Sequence, residues 1–183
     1  LPPPPPGKSG WPWTEESDRL PDTVHVLSGA EKPSGGTWPR LSIVTPSYNQ
    51  GQYIEEAIRA VLLQGYPNIE FIIIDGGSTD ATVEIIKNYE PWLACWVSEP
   101  DRGQSHAINK GVDRATGKIV FWLNADDRCL KGAFAKASRA FVENPEVRLV
   151  VGQARIIDAN SQVIGELRSH FTSRDDLITT PHN

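Results

Sequence analysis

The sequence predicts an α/β domain on a doubly wound, mostly parallel sheet, with a Pro/Trp-rich N-terminal arm. Three observations carry that prediction. From Leu41 onward, short apolar runs of strand length alternate with stretches whose apolar residues recur every three to four positions. Ile69 to Asp75 is apolar almost without a break, the mark of a strand covered on both faces. The first 40 residues hold 9 of the 15 prolines and 3 of the 6 tryptophans, so the regular pattern begins only after them.

Each element follows in order. Pro2 to Pro6 is compatible only with extended polyproline II. Residues 1–40 are expected to form an arm or linker whose Trp11, Trp13 and Trp38 pack on the domain; a ligand for a PxxP-reading partner is the other reading. The domain proper is expected over 41–183. Leu41 to Thr45 reads as a strand that stops at Pro46. A helix follows with Ile54, Ala57, Ile58, Val61 and Leu62 on one face, ended by Gly65 and Pro67. After the strand at Ile69 to Asp75, Ser78, Thr79 and Asp80 offer N-caps for a helix to Tyr89. Leu93 to Ser98 is a third strand. Ala107, Ile108, Gly111, Val112 and Ala115 mark a third helix, and Lys118 to Leu123 a fourth strand. Leu130, Ala133, Phe134, Ala137 and Phe141 share a fourth helix before Pro145. Val147 to Asp158 and Gln162 to Leu167, joined at Asn160 and Ser161, read as a hairpin. Right-handed β–α–β crossovers then give the parallel sheet.

Composition bounds the function. A chain of 183 residues suits one domain plus an appendage. Net charge is −5, whereas a nucleic-acid binder presents a basic face. No apolar run approaches the roughly 18 residues of a membrane span. Methionine is absent even at position 1, so a piece of a longer reading frame is expected. Cys95 and Cys129 have no metal-ligand spacing and read as free thiols of a reducing compartment, with a disulfide between them as the minor alternative. The expected location is cytoplasmic, with a peripheral position at the inner membrane face as the second reading.

Ligands of such sheets bind outside the carboxyl ends of the strands. Those ends carry Pro46-Ser-Tyr-Asn49, Asp75-Gly-Gly77, Glu99-Pro-Asp-Arg102 and Asn124-Ala-Asp-Asp127, and they are expected to converge on one crevice. Two carboxylates about 4 Å apart repel by about 4 kcal/mol at an effective dielectric of about 20. Asp126 beside Asp127 therefore points to a divalent metal with oxygen ligands, Mg²⁺ or Mn²⁺, that shares a diphosphate with the protein. Neither G-x-x-x-x-G-K-[ST] nor a G-x-G-x-x-G after the first strand is present, which argues against a nicotinamide-linked enzyme.

Ser42-Ile-Val-Thr-Pro-Ser-Tyr-Asn49, Ile72-Ile-Ile-Asp-Gly-Gly-Ser-Thr-Asp80 and Trp122-Leu-Asn-Ala-Asp-Asp127 resemble the ordered signatures of family 2 glycosyltransferases of the GT-A fold. Ser98 to Gly111 resembles that family's segment between strands three and four. The likeness covers about residues 40 to 170. It implies the nucleotide-diphospho-sugar transferase (GT-A) sheet and an inverting, metal-dependent transfer of a sugar from a nucleoside-diphosphate sugar to a hydroxyl acceptor, a saccharide or glycolipid of polysaccharide biosynthesis. Tyr48, with Thr45, Pro46 and Asn49, would line the nucleoside pocket. Asp75 would accept a base N–H, favouring UDP, dTDP or GDP. Asn124 takes the first place of the D-x-D motif, where it would bind ribose or phosphate. Asp126 is the leading metal ligand and Asp127 the second, and Arg102 would neutralise diphosphate charge. His106, in the next helix, reads mainly as a satisfied helix residue.

The resemblance also implies a general base downstream of the metal motif, in an acceptor-binding part expected beyond Asn183. Asp158, Glu166, Asp175 and Asp176 are the late carboxylates within the chain, and they read as turn and helix-start charges. A nucleotide-sugar binding module without catalysis is the alternative. A sugar-nucleotide pyrophosphorylase is disfavoured, because it would want a glycine- and arginine-rich loop after the first strand.

Overall fold

The computed structural model describes residues 1–26 and 34–167. The chain divides into two compact units, Leu1–Glu143 and Asn144–Asn183. The first unit opens with an antiparallel ladder of β1 (Thr23–Val26) and β2 (Ser34–Thr37). The alternating region follows as β3 (Leu41–Ser47), α1 (Ile54–Leu62), β4 (Ile69–Asp75), α2 (Thr82–Tyr89), a 3₁₀ turn at Glu90–Trp92, β5 (Cys95–Ser98), α3 (Gln104–Val112), β6 (Ile119–Trp122) and α4 (Ala133–Glu143). β3 to β6 form one parallel sheet in the order β5-β4-β3-β6.

Helices cover both faces, as the near-continuous apolar run of β4 requires. On one face Ile43, Phe71 and Ile73 pack with Ile58 of α1, Ile86 of α2 and Phe134 of α4. On the other, Ile72 and Ile74 pack with Ala107 of α3. The approach of α3 to β3 is close enough to demand glycine: a Cβ on Gly111 would stand 2.2 Å from Val44 Cγ1.

Among the local boundaries that differ from the sequence reading, three have a plain physical reason. β3 does not stop at Pro46 but runs through it to Ser47. The β6 pairing ends at Val44, so beyond it β3 is laddered on the β4 side alone, where a residue without an N–H is tolerated. Leu130 lies before α4, because Gly132 takes φ 74° and turns the chain ahead of Ala133. β5 starts at Cys95 because the 3₁₀ turn occupies the chain to Trp92.

Within the first unit the amino-terminal arm packs against α1 and its neighbours. Buried Arg59 of α1 donates to the carbonyls of Pro2, Pro12 and Trp13 and to Tyr89 Oη, and its guanidinium lies 5.5 Å from the centre of the Trp13 ring. Tyr89 Oη donates in turn to Glu55 Oε1 at 2.7 Å. Trp11 Nε1 reaches the Cys129 carbonyl at 3.0 Å, and Trp38 Nε1 the Pro21 carbonyl at 2.8 Å. At the amino edge of the sheet, buried Glu70 accepts from Ser42 Oγ and from Thr116 N and Oγ1, and pairs with Arg40 at 3.0 Å. Burial alone would raise the Glu70 carboxyl; these bonds outweigh it and hold it below the ordinary value.

The second unit contains an antiparallel hairpin of β7 (Ala154–Ile157) and β8 (Val163–Leu167), shorter than the sequence suggested. Asp158 Oδ1 accepts from Asn160 N and Gln162 N and so organises its turn. Glu166 stands 4.0 Å from Arg155. Asp175 and Asp176 lie outside the described residues.

Candidate functional site

In the order β5-β4-β3-β6, successive crossovers leave β3 in opposite directions, to β4 on one side and finally to β6 on the other. The β3/β6 boundary is the switch point of the sheet, the place at the carboxyl edge where ligands of such folds bind. The loop after β3 carries Tyr48 and Asn49, and the loop after β6 carries Asn124, Asp126 and Asp127. The carboxyl ends of β4 and β5 add Asp75 and Arg102.

Loops after β3 and β4 are laced together. Asn49 N donates to Ser78 Oγ at 2.7 Å, and Thr79 N donates to Asn49 Oδ1 at 2.9 Å. This exchange needs Asn49 at φ 52°, a left-handed conformation that asparagine tolerates. Asp80 Oδ2 accepts from Gly51 N and its Oδ1 from Thr82 N, one residue ahead of the formal cap position at Ala81. Burial alone would raise the Asp80 carboxyl, but the Thr82 and Gly51 bonds hold it low. Tyr48 is 61% exposed beside this junction.

Asp75 is fully buried and heavily engaged. Its Oδ2 accepts from Gly77 N at 3.1 Å, Ser78 N at 2.8 Å and Ser98 Oγ at 2.7 Å, and its Oδ1 accepts from Ser78 Oγ at 2.5 Å. Gly77 takes φ 85°, which lets successive N–H groups turn onto the carboxylate. The register aligns Ser47, Asp75 and Ser98 across three parallel strands, so all three share one face. Ser98 was not singled out from the sequence; only strand pairing places it beside Asp75. Thr45 and Ser47 lie on the same face of β3, and both hydroxyls are buried without a hydrogen-bond partner. Pro46, also buried, faces the opposite side.

The β6 loop has its own network. Asp127 N donates to the Asn124 carbonyl at 3.1 Å, closing a tight turn. Asn124 Nδ2 donates to Asp127 Oδ2 at 3.0 Å, and Gln104 Nε2, at the start of α3, donates to Asn124 Oδ1 at 2.8 Å. Although Asp127 reaches solvent, the protein packed around its carboxyl pushes it above the ordinary range; the Asn124 bond opposes the rise and the Asp126 charge adds to it. Asp126 is exposed. Among the described residues neither carboxylate makes an ion pair. Nor do three or more His, Cys, Asp or Glu side chains gather as a metal cluster among them. The pair still fits a hard divalent cation that takes one or two carboxylates and completes its shell with phosphate oxygens.

Arg102 is exposed, and its backbone N donates to His106 Nδ1 at 3.1 Å, so His106 serves first as a loop acceptor. Asp101 Oδ1 accepts from Gly103 N at 2.7 Å and shapes the same turn. Gln104 escaped the sequence reading, since an isolated glutamine carries no spacing signal.

A parallel α/β sheet with its polar loops at the carboxyl edge matches solved glycosyltransferases of the GT-A fold. A mannosyltransferase of Pyrobaculum calidifontis, solved with GDP-Man and Mn²⁺, is 26% identical with a TM-score of 0.54, covering 79% of this chain and 40% of that one. S. aureus TarS 1-349, solved with UDP-GlcNAc, is 26% identical with a TM-score of 0.51, covering 57% of this chain and 31% of that one. The chain belongs to glycosyl transferase family 2, whose model matches residues 42–180. Among curated relatives, TuaG of Bacillus subtilis (strain 168), named as a glycosyltransferase for teichuronic acid biosynthesis, is 37% identical over 108 residues, 57% of this chain and 43% of TuaG. The chain spans less than half the length of the curated relatives it matches. Among the described residues no helix is long and apolar enough to cross a membrane.

Proposed function

We propose that this chain forms the donor-binding half of an inverting, metal-dependent glycosyltransferase. It would take a sugar from a UDP-, dTDP- or GDP-linked donor and pass it to a hydroxyl of a saccharide or glycolipid. The observation that carries this reading is the placement of Asn124, Asp126 and Asp127 at the switch point, beside a β3 loop locked to the β4 turn. Complexes of the similar structures with GDP-Man and UDP-GlcNAc support the donor class, and the Mn²⁺ in one of them supports the metal.

In this reading Tyr48 stacks on the base, and the unpartnered hydroxyls of Thr45 and Ser47 mark the floor beneath it. Asp75 takes a ring N–H at Oδ1 once Ser78 Oγ, the donor on that oxygen among the described residues, turns away and uncovers the buried carboxylate. Asn49 fixes the distance between the two loops that flank the nucleoside. Asp126 and then Asp127 hold the divalent cation, which when bound neutralises the leaving diphosphate. Arg102 adds a second positive charge from the β5 end. In the reaction the acceptor oxygen bonds to the anomeric carbon as the bond from that carbon to the diphosphate oxygen breaks. The acceptor proton passes to a general base. We assign no base among the described residues, since Asp158 already organises its own turn.

The test is calorimetric titration of the chain with UDP and GDP, each with Mn²⁺ and with chelator. Binding should require the metal, and Asp126→Asn should remove most of the metal-dependent part. Equal binding with chelator present overturns the metal assignment.

A further inference from the structure

We infer that Gln104 is a positioning residue for the acidic pair: through Asn124 it fixes the Asp127 carboxylate, so the start of α3 sets the geometry of the β6 loop. The inference rests on the reading of Asp126 and Asp127 as the cation and diphosphate site.

Asp127 can only accept hydrogen bonds when ionised, so Asn124 must turn its NH₂ toward it. That leaves Asn124 Oδ1 facing the other way, where it needs a donor. Gln104 Nε2 supplies one at 2.8 Å, and Asn124 Nδ2 reaches Asp127 Oδ2 at 3.0 Å. The chain of amides therefore has one polarity, set at its carboxylate end and locked at its glutamine end. Asn124 is also held from behind, because its carbonyl accepts the Asp127 N–H in the turn.

The arrangement gives the two carboxylates different tasks. Asp127 is aimed by Asn124, while Asp126 is exposed and open to a ligand. It also gives a physical role to asparagine in the first place of the motif. An aspartate at 124 would put a third negative charge beside two others and would accept from Gln104 without donating to Asp127. A glutamate at 104 would draw the Asn124 amide group to itself and turn Oδ1 against Asp127, reversing the relay.

The experiment measures Mn²⁺ uptake by electron paramagnetic resonance, on the 183-residue chain with UDP or with GDP. Gln104→Leu keeps the bulk of the side chain and deletes the donor. It should weaken Mn²⁺–nucleotide binding about 2- to 12-fold, the worth of one neutral hydrogen bond. Because Gln104 is exposed, the unfolding midpoint should not move. Gln104→Glu should weaken binding further. In an Asp127→Asn background Gln104→Leu should have no added effect, which a purely structural role would not produce. Wild-type affinity in Gln104→Leu, or an equal loss in both backgrounds, overturns the role of Gln104 while the site reading stands. Absence of Mn²⁺ uptake by the wild type, or an unaltered Asp126→Asn variant, overturns the site reading and this inference with it.

Discussion

Replacing Asp75 by Asn keeps the shape of the side chain and removes its charge, which separates its two possible duties. The carboxylate accepts at Oδ2 from Gly77 N, Ser78 N and Ser98 Oγ, and at Oδ1 from Ser78 Oγ. An amide oxygen turned toward the Oδ2 position preserves the three bonds made there, now between neutral groups. The NH₂ then occupies the Oδ1 position. Bonds to a charged group contribute about 1.5–3 kcal/mol and neutral ones about 0.5–1.5 kcal/mol, so each retained bond weakens by about 1 kcal/mol. Three such losses total about 3 kcal/mol, with the Ser78 Oγ bond at Oδ1 reversed so that the hydroxyl accepts from the new NH₂. In a chain of this size that lowers the melting midpoint by about 6–12 °C. A base with a ring N–H would also meet the new NH₂ donor to donor. UDP and GDP should therefore lose their preference over CDP, a preference worth about 5- to 150-fold if Asp75 reads the base. Differential scanning calorimetry reads the first effect, and competition titration with the three nucleotides reads the second. A wild-type midpoint with the preference intact refutes both parts of the reasoning. A lowered midpoint with the preference intact refutes base reading alone and leaves Asp75 as the organiser of its turn.

Two further expectations follow from buried charges outside the site. Arg59→Leu removes four hydrogen bonds, three of them to the arm, and should destabilise the chain by about 3 kcal/mol. Limited proteolysis should then cut the first 20 or so residues far faster, and unchanged cleavage would show the arm is held by other contacts. Glu70, held low, contributes stability that is complete above the ordinary carboxylate value and is lost as pH falls through its lowered one. Glu70→Gln should accordingly melt below wild type at neutral pH, with the gap closing in unfolding scans from about pH 7 to about pH 3. A gap independent of pH would refute the ionic part of the contribution.

The sequence by itself determined the alternation of elements. The apolar runs at Leu41–Thr45 and Ile69–Asp75 and the amphipathic faces of α1 to α4 are local properties, set by periods that a strand or helix imposes on its own residues. It also brought out the loops that end in Tyr48–Asn49, Asp75–Gly77 and Asn124–Asp127, because turn chemistry and clustered carboxylates show in neighbouring letters. Tertiary structure decided the rest. Pro46 stays in its strand because β6 departs after Val44, a fact of pairing that no local pattern encodes. Packing on Arg59, 46 residues or more away in sequence, orders the arm. Ser98 reaches Asp75, and Gln104 reaches Asn124, across separations of 23 and 20 residues. A hydrogen bond is directional and short, and the partners of such groups are chosen by sheet order and helix placement. The sequence could name the carboxylates of the candidate site, but only the fold could supply the amides and hydroxyls bonded to them.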